Sequence, residues 1–172
     1  MKLVLIGYMA SGKSLIARYL SDKLGVVYID LDDYIVKKEG QTIKEIIKNK
    51  GEIYFRMVEN KYLKEVLNKK NDFILATGGG TPCYANNMHL IKDKAKSVYL
   101  KASVNTLSER LLNESKNRPL LSNIKKEDLK EFIAKHLFER NNYYNKANKT
   151  ITVDNKSVKD IINEITTIFY SK

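Results

Sequence analysis

Short apolar runs alternate with longer helical patterns along the whole chain, which predicts an α/β domain built on a parallel sheet. A phosphate-binding loop standing between the first such run and the first helical pattern supports the same class. The third observation is size and composition: 172 residues, 43% hydrophobic and 30% charged, suit one compact domain spanning 1–172. No apolar run approaches the length of a membrane span, and the start of the chain has neither the core nor the cleavage pattern of a signal peptide. A cytoplasmic protein without a membrane partner is therefore expected. One cysteine, Cys83, and two scattered histidines, His89 and His136, offer neither a disulfide nor a metal cluster. The net charge of +11 is spread over lysines along the chain, which fits a solvated surface and anionic substrates better than a nucleic-acid stripe.

Strands are expected at 2–6, 26–30, 73–76, 97–100 and 150–153. After the first, Leu15, Ile16, Tyr19 and Leu20 form an apolar stripe that is read as core. Two helix starts carry capping boxes, Thr42 with Glu45 and Ser157 with Asp160, in which a hydroxyl and an acid satisfy each other's open amides. The stretch 113–126 is polar, interrupted by Pro119 and set between two helical patterns, as a mobile lid would be. Met57, Met88, Tyr143 and Tyr144 are read as packing, and both histidines as ordinary surface or satisfied residues.

The chemistry begins with Gly7-Tyr8-Met9-Ala10-Ser11-Gly12-Lys13-Ser14, a G-x-x-x-x-G-K-[ST] loop between strand and helix. Its backbone amides and the helix dipole form a cup for phosphates. Lys13 would neutralise the charge that builds during transfer, and the Ser14 hydroxyl would hold Mg²⁺. ATP is thus the expected co-substrate. At the second strand's end, Asp30 and Asp32 are two residues apart, so strand alternation would aim both at the crevice beside the loop. One could help hold Mg²⁺ through water and the other accept a hydroxyl proton, whereas capping of the next helix is the plainer use of such acids, Asp33 among them. Gly78, Gly79 and Gly80 follow the third strand and would let a ligand approach the backbone, although a tri-glycine run also serves as a simple turn. Arg56, Arg118 and Arg140 stand out because a guanidinium fork binds carboxylates and phosphates with two parallel hydrogen bonds.

In this order the motifs resemble the shikimate kinase family: the P-loop, Asp30-x-Asp32, Gly51-Glu52-x-x-Phe55-Arg56, Gly78-Gly79-Gly80, Asn117-Arg118-Pro119-Leu120-Leu121, and Arg140 with Tyr144. The resemblance implies a P-loop, nucleoside-monophosphate-kinase-like three-layer fold, with a five-stranded parallel sheet in the order 2-3-1-4-5 flanked by helices. It implies transfer of the ATP γ-phosphate to the 3-hydroxyl of shikimate. It also implies that shikimate is held by Asp32, Arg56, Arg140 and the Gly78, Gly79, Gly80 turn, with Asp32, Lys13 and Arg118 catalytic. Nucleotide would be held by Ala10, Ser11, Gly12, Lys13, Ser14, Leu15, Arg110 and Arg118. Mg²⁺ would be held by Ser14 and, through water, by Asp30 and Asp32. Ala10 departs from the glycine frequent in the family, and 153–156 resembles its adenine-side loop only loosely. A monomer acting on a small molecule is expected. A gluconate-type kinase would share the P-loop but not the set Asp32, Arg56, Gly78 and Arg140, and a nucleic-acid-binding P-loop module is the alternative that the net charge suggests.

Overall fold

The computed structural model describes residues 1–114 and 125–170. Its strands are β1 (Lys2–Ile6), β2 (Val27–Asp30), β3 (Phe73–Ala76), β4 (Lys96–Lys101) and β5 (Lys149–Thr152). All pair in parallel in one sheet of order β2-β3-β1-β4-β5. β1, β3 and β4 occupy the middle, where helices cover both faces, so their sequences are near-continuous apolar runs rather than alternating ones. Leu3, Leu5, Ile6, Ile74, Leu75, Val98 and Leu100 are fully buried there. With β1 flanked by β3 and β4, the crevice at the carboxyl ends of these strands is where such a sheet binds ligands.

The helices are α1 (Lys13–Leu24), α2 (Leu31–Glu39), α3 (Ile43–Leu67), α4 (Asn87–Lys94), α5 (Val104–Glu114), α6 (Leu129–Tyr144) and α7 (Val158–Tyr170). Both expected capping boxes form: the Glu45 amide donates to Thr42 Oγ1 at 3.2 Å and the Thr42 amide to Glu45 Oε2 at 2.8 Å. Ser157 and Asp160 repeat the exchange at the head of α7, each amide donating over 3.2 Å. α3 is broken at Gly51, whose φ of 86° and ψ of 164° are open to glycine alone, and the second arm redirects Phe55, Arg56 and Glu59. Among the described residues no helix is long and apolar enough to cross a membrane.

Two packing expectations need correction. In α1 the buried stripe is Ile16, Ala17 and Leu20, while Leu15 and Tyr19 are 50% and 53% exposed. They lie one turn apart on the flank of the helix, beside the stripe rather than within it. Met57 is likewise 59% exposed, because it lies one turn after the exposed Ile53 on the outward face of the second arm, whereas Met88 and Tyr144 are core. Most of the expected lid, including Arg118, lies outside the described residues.

Candidate active site

The P-loop turns sharply from β1 into α1. Gly12 caps α1 in the left-handed region with φ 96°, and Ala10 is also left-handed with φ 61°. A Cβ on Gly7 would stand 2.8 Å from the Leu100 carbonyl oxygen, so the loop's first position has no room for a side chain. The ammonium of Lys13 donates to the Tyr8 carbonyl at 2.8 Å, which curls the lysine back over the loop. Ser11 is almost fully buried, and its hydroxyl has no protein partner among the described residues. Arg110 of α5 reaches over to donate to the Ala10 carbonyl at 3.1 Å.

The second strand ends earlier than alternation on a strand required. β2 stops at Asp30 and α2 starts at Leu31, so Asp32 sits in the first helical turn rather than on the strand. Asp30 is itself the helix cap, accepting from the Asp32 amide at 3.0 Å, while Asp33 lies exposed. The two acids still meet the same cleft because a strand-to-helix turn, not a two-residue period, brings them there. Asp30 also accepts from the Ser14 hydroxyl at 2.7 Å and from the Tyr28 hydroxyl at 3.3 Å. Among the described residues Asp32 has no comparable donor set. Burial pushes its carboxyl up to about 6, with the negative charges of Asp30 and Glu59 adding to the rise and Lys13 opposing it.

Opposite these acids stands the arginine pair. Arg56 donates to Glu59 Oε2 at 2.8 Å and approaches Glu52 Oε1 at 3.6 Å. Glu59 is only 1% exposed and accepts a second bond, from Thr81 Oγ1 at 2.6 Å. A buried carboxylate at this point requires partners, and Arg56 and Thr81 supply them. Arg140 lies across the cleft on α6, with its guanidinium 5.4 Å from the centre of the Tyr8 ring. The glycine turn fits between them. Cβ atoms added to it would meet Asp32 Oδ1 at 3.2 Å from Gly78, Arg140 Nη1 at 3.7 Å from Gly79 and Arg56 Nη2 at 2.6 Å from Gly80. The Tyr144 hydroxyl donates to the Gly79 carbonyl at 2.6 Å and holds the turn in place.

The P-loop, the two acids, the glycine turn and the arginines line one cleft of about 860 Å³. It contains Ala10, Ser11, Gly12, Lys13, Ser14, Leu15, Asp30, Asp32, Arg56, Gly78, Gly79, Gly80, Arg110 and Arg140, which are the site residues expected from the sequence apart from Arg118. Sequence reasoning missed Glu59, which looked like any helical acid. Its only sequence signal is the three-residue spacing from Arg56, which brings the two onto one helical face. It also missed Val158, which reaches the cleft from beyond β5 together with Lys156 of the 153–156 loop.

The arrangement joins a phosphate cup to a pocket holding one carboxyl of raised pKa and two guanidinium forks, which suits phosphoryl transfer to the hydroxyl of a small carboxylate. Comparison with known proteins points the same way. The family model described as shikimate kinase matches residues 9–169. A shikimate kinase of Flavobacterium psychrophilum is 48% identical over 170 residues, covering 98% of this chain and 99% of its own length. Among solved structures, shikimate kinase from Bacteroides thetaiotaomicron superposes with a TM-score of 0.92 at 29% identity, covering 99% of each chain. The Acinetobacter baumannii shikimate kinase, solved in complex with shikimate, gives 0.87 at 32% identity over 97% of this chain and 91% of that one. With the family model spanning nearly all of it and a relative 48% identical along almost its full length, this chain belongs to the shikimate kinase family.

Proposed function

We propose that the cleft transfers the γ-phosphate of ATP to the 3-hydroxyl of shikimate, with Asp32 as the base and Arg56 and Arg140 as the carboxylate clamp. The observation that carries this reading is the convergence of Lys13, Asp32 and the two arginines on one cleft. A carboxyl whose pKa is about 6 is mostly ionised at neutral pH yet basic enough to accept a proton, as general-base assistance requires. Asp32 would take the proton of the acceptor hydroxyl as its oxygen attacks the γ-phosphorus and ADP departs. Lys13 would leave the Tyr8 carbonyl for the β- and γ-phosphate oxygens and offset the charge that builds on them. The P-loop amides would hold the phosphates still.

The residues present also fit Mg²⁺. Ser14 and Asp30 pair oxygen atoms 2.7 Å apart at the edge of the cup, the donor type a hard cation prefers. They would hold it beside the phosphates, with Asp32 reaching it through water, and the ion would supply charge neutralisation during transfer.

Catalysed ADP release with a panel of acceptors tests the reading. Shikimate is expected to be turned over with far higher kcat/KM than gluconate or a nucleoside monophosphate. A better rate with either of those would assign the cleft to another kinase.

A further inference from the structure

The buried tyrosine of the P-loop, Tyr8, connects two parts of the site that the sequence treats as separate. Its carbonyl accepts from Lys13 at 2.8 Å, on the nucleotide side. Its ring lies under the Arg140 guanidinium, on the acceptor side, and is only 1% exposed. Its hydroxyl and Nδ1 of His136 share a hydrogen bond of 3.0 Å. On α6, Phe132, His136 and Arg140 follow one another at four-residue spacing, so they form one column on one helical face. The Phe132 and His136 rings stand 4.1 Å apart, which seats the imidazole between an aromatic ring and the arginine. Burial and the Arg140 charge both hold the His136 pKa below its usual value, and burial pushes the Tyr8 phenol up to about 12. Both groups are therefore neutral at pH 7, the condition under which one proton is shared between them.

We infer that the Tyr8–His136 pair is a positioning device: it clamps α6 to the P-loop so that the Arg140 guanidinium is stacked on the Tyr8 ring and aimed at the acceptor's carboxylate. A cation over an aromatic face within about 6 Å is attracted to it, but the attraction falls off as the ring tilts. The hydroxyl bond fixes that tilt from the far edge of the ring. Arginine has four flexible side-chain torsions, so a pre-aimed fork binds an anion with less ordering than a free one. The pair touches neither substrate and acts only through Arg140. The inference rests on the reading of Arg140 as a shikimate-binding residue.

The test is steady-state kinetics on Tyr8→Phe, His136→Leu, His136→Asn, the double variant Tyr8→Phe/His136→Leu, and Arg140→Ala. Asparagine places a polar atom near the position of Nδ1 and can replace it. Tyr8→Phe and His136→Leu are each expected to raise the KM for shikimate about three- to tenfold, the usual worth of one net hydrogen bond. The KM for ATP should stay within about twofold. His136→Asn should recover most of the loss, and the double variant should be no worse than the worse single one. The inference is overturned if the two KM values rise together, if asparagine is as poor as leucine, if the single losses add, or if neither single variant changes the KM for shikimate. Tyr8→Phe keeps the buried ring, so it decides the matter even where leucine at 136 disturbs folding. Arg140→Ala separates the two levels: an unchanged KM for shikimate there would overturn the clamp itself, whatever the other variants show.

Discussion

Replacing Gly80 by alanine should disable the acceptor site without replacing a substrate-binding side chain. Gly80 has φ −86° and ψ −16°, a conformation any residue adopts, so the substitution brings no backbone strain. Its Cβ would stand 2.6 Å from Arg56 Nη2, 2.9 Å from Nη1 and 3.0 Å from Cζ, so the guanidinium must move. That guanidinium is tied to Glu59 at 2.8 Å and flanked by Glu52, and moving it gives up the bond to a buried carboxylate. A hydrogen bond to a charged group is worth about 1.5 to 3 kcal/mol net, and losing one from the shikimate carboxylate weakens binding about 10- to 150-fold. Titration calorimetry on Gly80→Ala should show shikimate affinity falling within that range and ATP affinity nearly unchanged. Thermal unfolding should shift by a few degrees at most, since Thr81 still donates to Glu59. Shikimate affinity within twofold of the parent would refute the claim that the arginine's packed position is what binds the anion.

Asp32→Asn should keep ATP binding and lose about 10² to 10⁴ in kcat, and in the parent log kcat/KM should rise with pH and level off above about 6, the Asp32 pKa. A flat profile from pH 5 to 8 would remove Asp32 as the base. The same raised pKa has a cost in stability: the folded state binds the proton more tightly than the unfolded one, so stability falls as pH rises from the unfolded value of 3.8 through about 6. Asp32→Asn should therefore be more stable than the parent at pH 7.5, by about 1 to 3 kcal/mol, and gain little at pH 4, as melting curves at the two pH values would show. Ala10→Gly relieves a left-handed alanine, worth about 1 to 2 kcal/mol, against about 0.5 to 1 kcal/mol of extra chain freedom in the unfolded state. A Tm equal to or slightly above the parent's is expected, and a clear drop would contradict the assigned strain. Thr42→Ala should lower stability by about 1 kcal/mol through the lost capping box while leaving kcat unchanged.

How much of this was legible in the sequence depends on whether the signal was local. The P-loop is contiguous and its chemistry is carried by backbone geometry, so the motif alone located the cup. Sheet strands were readable because β1, β3 and β4 are short apolar runs buried on both faces. Asp30 and Asp32 were found for a partly mistaken reason, since the helix begins one residue after the strand and a turn does the aiming. Gly80 was read as room for a ligand, whereas a Cβ there meets Arg56, which is 24 residues away in sequence. Glu59 had only its three-residue spacing from Arg56, and His136 had no distinguishing pattern. Their importance comes from burial and from partners on other elements, Thr81 and Tyr8, which only the packed fold brings within reach.

The central claim is that two arginine forks hold the acceptor by its carboxylate while Asp32 works on its hydroxyl. The most direct measurement compares kcat/KM for shikimate with that for an analogue whose carboxylate is reduced to an alcohol, in the parent and in Arg56→Lys and Arg140→Lys. Lysine keeps the charge but loses the planar fork. The parent should prefer shikimate by at least about tenfold, and each lysine variant should lose shikimate activity while discriminating far less between the two acceptors. A parent enzyme that phosphorylates the alcohol nearly as well as shikimate, or lysine variants that retain the full preference, would contradict the account.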